Sequence, residues 1–357
     1  MMSNPTVSAK SNPLTRRTRF VCISDTHNCI IKLPKGDVLI HCGDLTNQGS
    51  ITELQKQVQW LESADFELKI VIAGNHDMTL DEGFMSQHGS LLHNNTPQDP
   101  KACRALLTTS KSLTYLEHES RKFKLSSPKG PRTIFSVFGS PYSLAWGKWA
   151  FQYPPDAGGV AARRLWEQIP VDTDILVTHG PARTHCDRNK LGEAAGCEVL
   201  RQALWRIRPR LALCGHVHEA RGVERVSWDL EVPGKERSRK GWEDPHKDSA
   251  KNALVDLTTK SGAPLDNDGG LSIASTDFKN ETPQSLETTS VKERKETKAT
   301  DGDINMDMGG LAPGRRETCV VNCAVQASSY PHRGARALNK PIVVDIDLPV
   351  WETEDDA

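Results

Sequence analysis

The sequence predicts an α/β fold, and three observations carry that prediction. Short continuous apolar runs recur along the chain, each breaks at once into a polar loop, and amphipathic segments lie between them. Continuous rather than alternating apolar runs are what strands covered on both faces require. In order, the strand runs fall at 20–23, 38–41, 70–73, 134–138, 175–177 and 211–214. A helix is predicted over 52–62, where Leu54, Val58 and Leu61 share one face, and others over 99–110, 160–168 and 197–207. Strand then helix, repeated, is the signature of the α/β class.

From about residue 226 to 317 the pattern collapses into Lys, Glu, Asp, Ser, Thr and Gly. Stretches such as 290–298 carry too little apolar surface to offset chain entropy. The expectation is a disordered insertion over 227–317, inside a domain formed by 19–226 plus 318–350, because strand-like runs return at 319–325 and 342–346. Insertions of this kind are tolerated because loop-closure entropy grows only logarithmically with length. A hydrophobic share of 37%, against roughly 45–50% on a slightly wider residue set, agrees with an unpacked portion. Residues 1–18 read as a disordered leader without an apolar signal region; Arg16, Arg17 and Arg19 leave a weaker mitochondrial-type alternative.

Charge and cysteine usage exclude several classes. Lys and Arg number 45 against 46 Asp and Glu, which disfavours nonspecific nucleic-acid or anionic-membrane binding. No run approaches the ~20 apolar residues of a membrane helix. The nine cysteines form no CxxC pair and sit among apolar residues, as buried free thiols in a reducing, cytoplasmic setting would.

The chemistry-bearing residues follow the strands. The first strand runs into Asp25-Thr26-His27, the second into Gly43-Asp44, the third into Gly74-Asn75-His76-Asp77, and later ones into Thr178-His179-Gly180 and Gly215-His216-Val217-His218. Open α/β sheets place their sites beyond these carboxyl ends. Asp-x-His alone is weak, whereas Gly-Asn-His-Asp is expected in on the order of one chain in a thousand. A carboxylate touching two metals, with His and Asn filling their shells, is what a phosphoester-cleaving metal pair needs. The adjoining glycines permit close backbone approach.

At these residues the chain resembles the calcineurin-like metallophosphoesterase superfamily, whose pattern DxH, GD, GNH[DE], H and GHxH it contains in full. It looks closest to the small metallophosphoesterase-domain proteins of animals and fungi, through 71–77, 178–181 and the Trp-rich stretch 139–153. The resemblance implies a four-layer α-β-β-α sandwich of two mixed sheets flanked by helices. It implies two metal ions, manganese, iron or zinc, with Asp25, His27 and His218 on the first, Asn75, His179 and His216 on the second, and Asp44 bridging. Asn75 and His76 would contact the substrate, and His76 would protonate the leaving oxygen.

One departure bears on the substrate. Where the family's protein serine/threonine phosphatases continue as GDxxDR, this chain has Asn47 and Gln48. That points away from protein phosphatase activity and leaves His76 without the usual carboxylate partner. The chain keeps His216, the first His of GHxH, which some animal members lack.

The expected function is hydrolysis of a phosphodiester, small or cyclic-nucleotide-like, or of a small phosphomonoester, by metal-bound hydroxide. The rival is a metal-binding scaffold of low activity that engages a protein partner through 227–317. Trp146, Trp149, Phe151 and Tyr153 either stack a nucleobase or pack a hydrophobic corner. His41 reads as structural, His185 and Cys186 as loop residues, and Arg183 as a phosphate contact or a surface salt bridge.

Overall fold

The strand runs assemble into two mixed sheets in the computed structural model, which describes residues 14–93, 96–155, 159–247, 249, 251–267, 314–329 and 337–351. One sheet has the order β13 (Ala253–Leu257), β15 (Ile342–Pro349), β1 (Thr15–Ile23), β2 (Val38–Cys42), β3 (Leu68–Ile72), β4 (Thr114–Tyr115). The other runs β12 (Glu236–Trp242), β11 (Gly222–Trp228), β14 (Glu317–Asn322), β10 (Leu211–Cys214), β9 (Ile175–Thr178), β6 (Ile134–Ser140), β5 (Glu119–Lys124). A short parallel ladder joins β7 (Ser143–Leu144) to β8 (Gln152–Tyr153).

Strand periodicity produces the layers. Phe20 and Cys22 of β1 face inward, where they meet Phe135, Val177 and Leu213 of the second sheet; Phe20 and Phe135 pack edge to face at 5.4 Å. Val21 and Ile23 face outward, against Leu54, Val58 and Leu61 of α1 (Ile51–Ser63) and Cys103 and Leu107 of α3 (Pro100–Thr108). The second sheet's outer face, with Leu176 and Ala212, is covered by α4 (Val160–Trp166) and α5 (Glu198–Ile207). The result is the expected α-β-β-α sandwich, and it explains why the central strands are apolar throughout.

Local signals set the helix ends. Ser50 and Glu53 form a reciprocal capping box at the start of α1, and Asp99 caps α3 with Pro100 in its first turn. The short α2 (Glu82–His88) begins at the Asp81 cap. All nine cysteines are free thiols, and seven of them are buried. Among the described residues no helix is long and apolar enough to cross a membrane.

Two boundaries differ from the sequence expectation. Strand β1 starts at Thr15, inside the expected 1–18 leader, because Arg19 makes a bidentate pair with Asp345 of β15 and the two strands run antiparallel. Residues 1–13 lie outside the described residues. The stretch 227–317 is likewise structured in its first part. Strand β12 extends the second sheet's edge, and β13 buries Ala253, Val255 and Leu257 beside β15. The remainder, 268–313, lies outside the described residues.

The two ends flanking 268–313 meet. Asn267 pairs with Arg315, and its side-chain oxygen accepts from the amides of Arg316 and Glu317 at 2.9 and 3.0 Å. This stem stands at the start of β14. The other end of that strand carries Asn322, whose amide donates to the carbonyls of Gly215 and Val217 in the GHxH loop.

The position of the stem generates a prediction. Replacing residues 270–312 with a short Gly/Ser linker is expected to leave the melting temperature within about 2 °C of the parent. Extending the replacement to 230–315 removes β12 and β13 and is expected to lower it sharply. Equal melting of the two forms in parallel calorimetric scans would show that β13 adds nothing to the core.

Candidate metal centre

Both sheets deliver their chemistry to one edge. The parallel strands β1, β2 and β3 end at Asp25/His27, Asp44 and Asn75/His76, while β9 and β10 of the second sheet end at His179 and His216/His218. The loops adopt backbone conformations that ordinary residues rarely take. Asp25, His27, Asp44 and His216 all have positive φ, at 55°, 44°, 54° and 67°. Left-handed backbone at non-glycine residues carries strain of order 1–3 kcal/mol each and persists where surroundings over-determine it. Here the amides of Asp25 and His27 are held by the carbonyls of Gly43 and Asp44 at 2.9 and 3.1 Å. Glycine is required at two contacts: a Cβ on Gly74 would fall on the Asp44 carboxylate, and one on Gly215 on that of Asp25.

The side chains converge around Asp44, which is buried. Its Oδ2 lies 3.6 Å from His27 Nε2, and its Oδ1 lies 3.4 Å from His179 Nε2. On the first side, His218 Nε2 is 3.3 Å from Asp25 Oδ1 and 3.3 Å from His27 Nε2. On the second, Asn75 Oδ1 is 2.9 Å from His179 Nε2, and the His179 and His216 rings are 5.0 Å apart. The sequence-singled residues therefore come together, His76 included: ligand atoms of His27, Asp44 and His76 lie within 4.8 Å of one another, as do those of Asp25, His27 and His218, and of Asp25, Asp44 and His179.

The donor set fits a pair of cations. Nδ1 of His27, His179 and His218 faces the backbone carbonyls of Thr46, Cys42 and Ser328 at 3.1, 2.9 and 3.0 Å. A carbonyl fixes the ring proton on Nδ1 and leaves the Nε2 lone pair free to ligate. Lone pairs of three imidazoles, two carboxylates and an amide then face one another in a buried space, which only cations or protons make favourable. Burial disfavours charge on His179, but Asp44 outweighs it and raises the imidazole to about 9; Asp25 does the same for His218, also to about 9. His27 and His216 stay neutral, lowered to about 4 mainly by burial. Asp25 and Asp44, despite burial, are held below the ordinary carboxylate range, chiefly by His218 and His179 respectively.

Several supports were missed at the sequence level. Buried Asp77 accepts from the amides of Leu45, Thr46 and Gly74 and from the Thr46 hydroxyl at 2.7 Å, which ties the second ligand loop to the third. Its place in Gly-Asn-His-Asp was the available signal. Ser328 and Gln326, after β14, hold His218 and the Thr26 carbonyl, and nothing in their spacing marks them. His76 is oriented by a main-chain group: its Nδ1 is 2.8 Å from the Asn47 carbonyl, and its ring lies 4.1 Å from Trp149.

The remaining candidates sort plainly. His41 is buried against the Thr26 hydroxyl, and Arg183 reaches the Ala194 carbonyl rather than the cleft. Trp146 and Trp149 line the cleft over the centre, of about 830 Å³, whereas Phe151 and Tyr153 pack into the core.

Comparison with known proteins gives the following. Residues 18–220 match the family model described as calcineurin-like phosphoesterase. A protein of Emericella nidulans named probable rhamnogalacturonate lyase C is 46% identical over 214 residues, 59% of this chain and 18% of that protein. Metallophosphoesterase domain-containing protein 1 of Homo sapiens is 37% identical over 217 residues, 58% of this chain and 62% of that protein. A UPF0046 protein of Caenorhabditis elegans is 34% identical over 216 residues, 58% of this chain and 71% of that protein. The chain thus spans less than two thirds of the first two relatives.

Asp77 supplies the test of this construction. Asp77→Ala strands buried donors on three amides and is expected to destabilise the fold by about 3 kcal/mol, as read from urea unfolding, and to weaken manganese binding. A variant as stable as the parent would mean that the two loops are held by other contacts.

Proposed function

Because the chain belongs to the calcineurin-like phosphoesterase family, we propose that it is a dinuclear metal-dependent hydrolase of phosphoesters, acting on small phosphodiesters of nucleotide type. The observation that carries this reading is the division of the Asp44 carboxylate between two donor sets, one oxygen toward each. Asp25, His27 and His218 would hold one metal, Asn75, His179 and His216 the other, and Asp44 would serve both. Manganese, iron and zinc all suit such a set. A bound pair supplies neutralisation of the phosphate and an acidified water.

The chain's own groups do the rest. The His76 amide donates to Asp44 Oδ1 at 2.8 Å and fixes the bridging carboxylate. Asn75, engaged with His179 through Oδ1, keeps its amide hydrogens for a phosphate oxygen. His76 contacts the phosphate and delivers a proton from Nε2 to the leaving oxygen, while the Asn47 carbonyl and the Trp149 ring hold the imidazole in place.

Substrate charge favours the diester. Asn47 and Gln48 line the cleft where protein phosphatases carry Asp and Arg, and Lys190 is the one lysine or arginine among the described lining residues. Without a bidentate guanidinium, a monoanionic diester is better matched than a dianionic monoester. The compartment we infer from the reduced thiols is the cytoplasm.

Two variants separate the roles. Asp44→Asn is expected to lose metal and to abolish manganese-dependent cleavage of bis-p-nitrophenyl phosphate; two retained metals at full rate would remove Asp44 from the bridging role. His76→Ala is expected to keep both metals and to lose about 10²–10⁴-fold in rate, most for poor leaving groups. An equal loss for good and poor leaving groups would count against proton delivery.

A further inference from the structure

The support of His76 reaches one step further back. Its Nδ1 is held by the carbonyl of Asn47, yet residues 47 and 48 are exposed. An exposed turn aims a ring only where its own backbone is anchored. The anchor is Glu53, in the first turn of α1. Its Oε1 accepts from the Asn47 amide at 3.2 Å and from Asn28 Nδ2 at 2.6 Å. Its Oε2 accepts from the Ser50 amide at 2.9 Å and from the Ser50 hydroxyl at 2.8 Å. Asn28 directly follows His27 in the first ligand loop, so one carboxylate ties that loop to both ends of the 47–50 turn. The middle of the turn is pinned by Thr79, whose hydroxyl donates to the Gly49 carbonyl, and by His93, whose Nε2 is 2.8 Å from the Gln48 carbonyl.

Helix capping asks less of this residue. A capping box needs the N3 side chain to reach only the N-cap amide, which is the Ser50 bond. The bonds to Asn28 and Asn47 are additional, and both fall on Oε1. Burial opposes charge on Glu53, yet hydrogen bonds from Asn28 and Ser50 outweigh it and hold the carboxyl below its ordinary range. Only a carboxylate accepts on both sides; a glutamine turns an NH2 toward one pair of donors. We propose that Glu53 is the positioning residue of His76, supplying through the Asn47 main chain the carboxylate that residue 47 itself does not carry. The Asn47 carbonyl takes up no proton, so Nδ1 keeps its hydrogen and Nε2 alone exchanges one with the leaving oxygen. Fixing that carbonyl fixes the aim of Nε2, and a displacement of about 1 Å can cost ~10²-fold in rate. The inference rests on the hydrolase reading and adds to it a residue outside both the donor set and the cleft lining.

Kinetics of the full chain loaded with manganese separate this role from helix capping. The substrates are bis-p-nitrophenyl phosphate and diphenyl phosphate, whose phenol is the poorer leaving group. Glu53→Ala is expected to keep its manganese and its KM, and to lose about 10–100-fold in kcat on diphenyl phosphate but severalfold less on the nitrophenyl ester. Glu53→Gln, which still caps the helix, is expected to recover part of that loss. In a His76→Ala background Glu53→Ala is expected to cost nothing further, because the ring it aims is gone. Asp99→Ala removes the cap of α3 instead, and is expected to lose comparable stability in urea with kcat unchanged. Equal losses on the two esters, an undiminished effect in the His76→Ala background, or release of manganese from Glu53→Ala overturns the positioning role while the hydrolase reading stands. A parent that binds manganese and cleaves neither ester overturns the hydrolase reading, and the role of Glu53 with it.

Discussion

The structure is organised around a carboxylate that belongs to one sheet and is neutralised by both. Asp44 ends β2, yet one of its imidazole neighbours, His179, ends β9 of the facing sheet. An ionised carboxylate taken out of water is several kcal/mol unfavourable unless positive charge and donors surround it. Face-to-face sheets stand about 10 Å apart, so loops leaving the same edge of each can close over a single group. That closure dictates the rest. The Gly74 position must lack a side chain, Asp25, His27, Asp44 and His216 must enter left-handed backbone, and Asp77 must bind the second and third loops together.

What could be read from the sequence follows from this arrangement. Strands β1, β2, β3, β9 and β10 are buried on both faces, so their apolar runs are unbroken and their polar ends conspicuous. The residues around Asp44 stood out for the same reason. Strand β12 was illegible because its sequence, ERSRKGW, is exposed along nearly its whole length and owes its structure to pairing with β11. Strand β13 was hidden differently: its partner, β15, lies on the far side of a long polar stretch, and no local pattern announces such a pairing. The same holds for β1 before Phe20, where ion pairs with Asp345 rather than apolar periodicity fix the strand.

The supports of the candidate metal centre were illegible for a chemical reason. The rings of His27, His76, His179 and His218 are aimed by the carbonyls of Thr46, Asn47, Cys42 and Ser328. A main-chain acceptor is present whatever the side chain, so no motif records it. The absence of an acidic residue at position 47 therefore does not leave His76 loose. Its orientation comes from the peptide unit there and from Trp149, whereas the neutral side chains of Asn47 and Gln48 remain free to shape the charge of the cleft.

The dependence of His218 on Ser328 has a consequence for biogenesis. The two are 110 residues apart, and β1 finds β15 only near residue 349. A ribosome adding about 5–20 residues per second takes roughly 5–20 s to pass from one to the other. During that interval the imidazole is unaimed, and the first sheet lacks β15 throughout. The geometry around His218 is therefore completed only once residue 328 has been made, after every residue of the donor set itself.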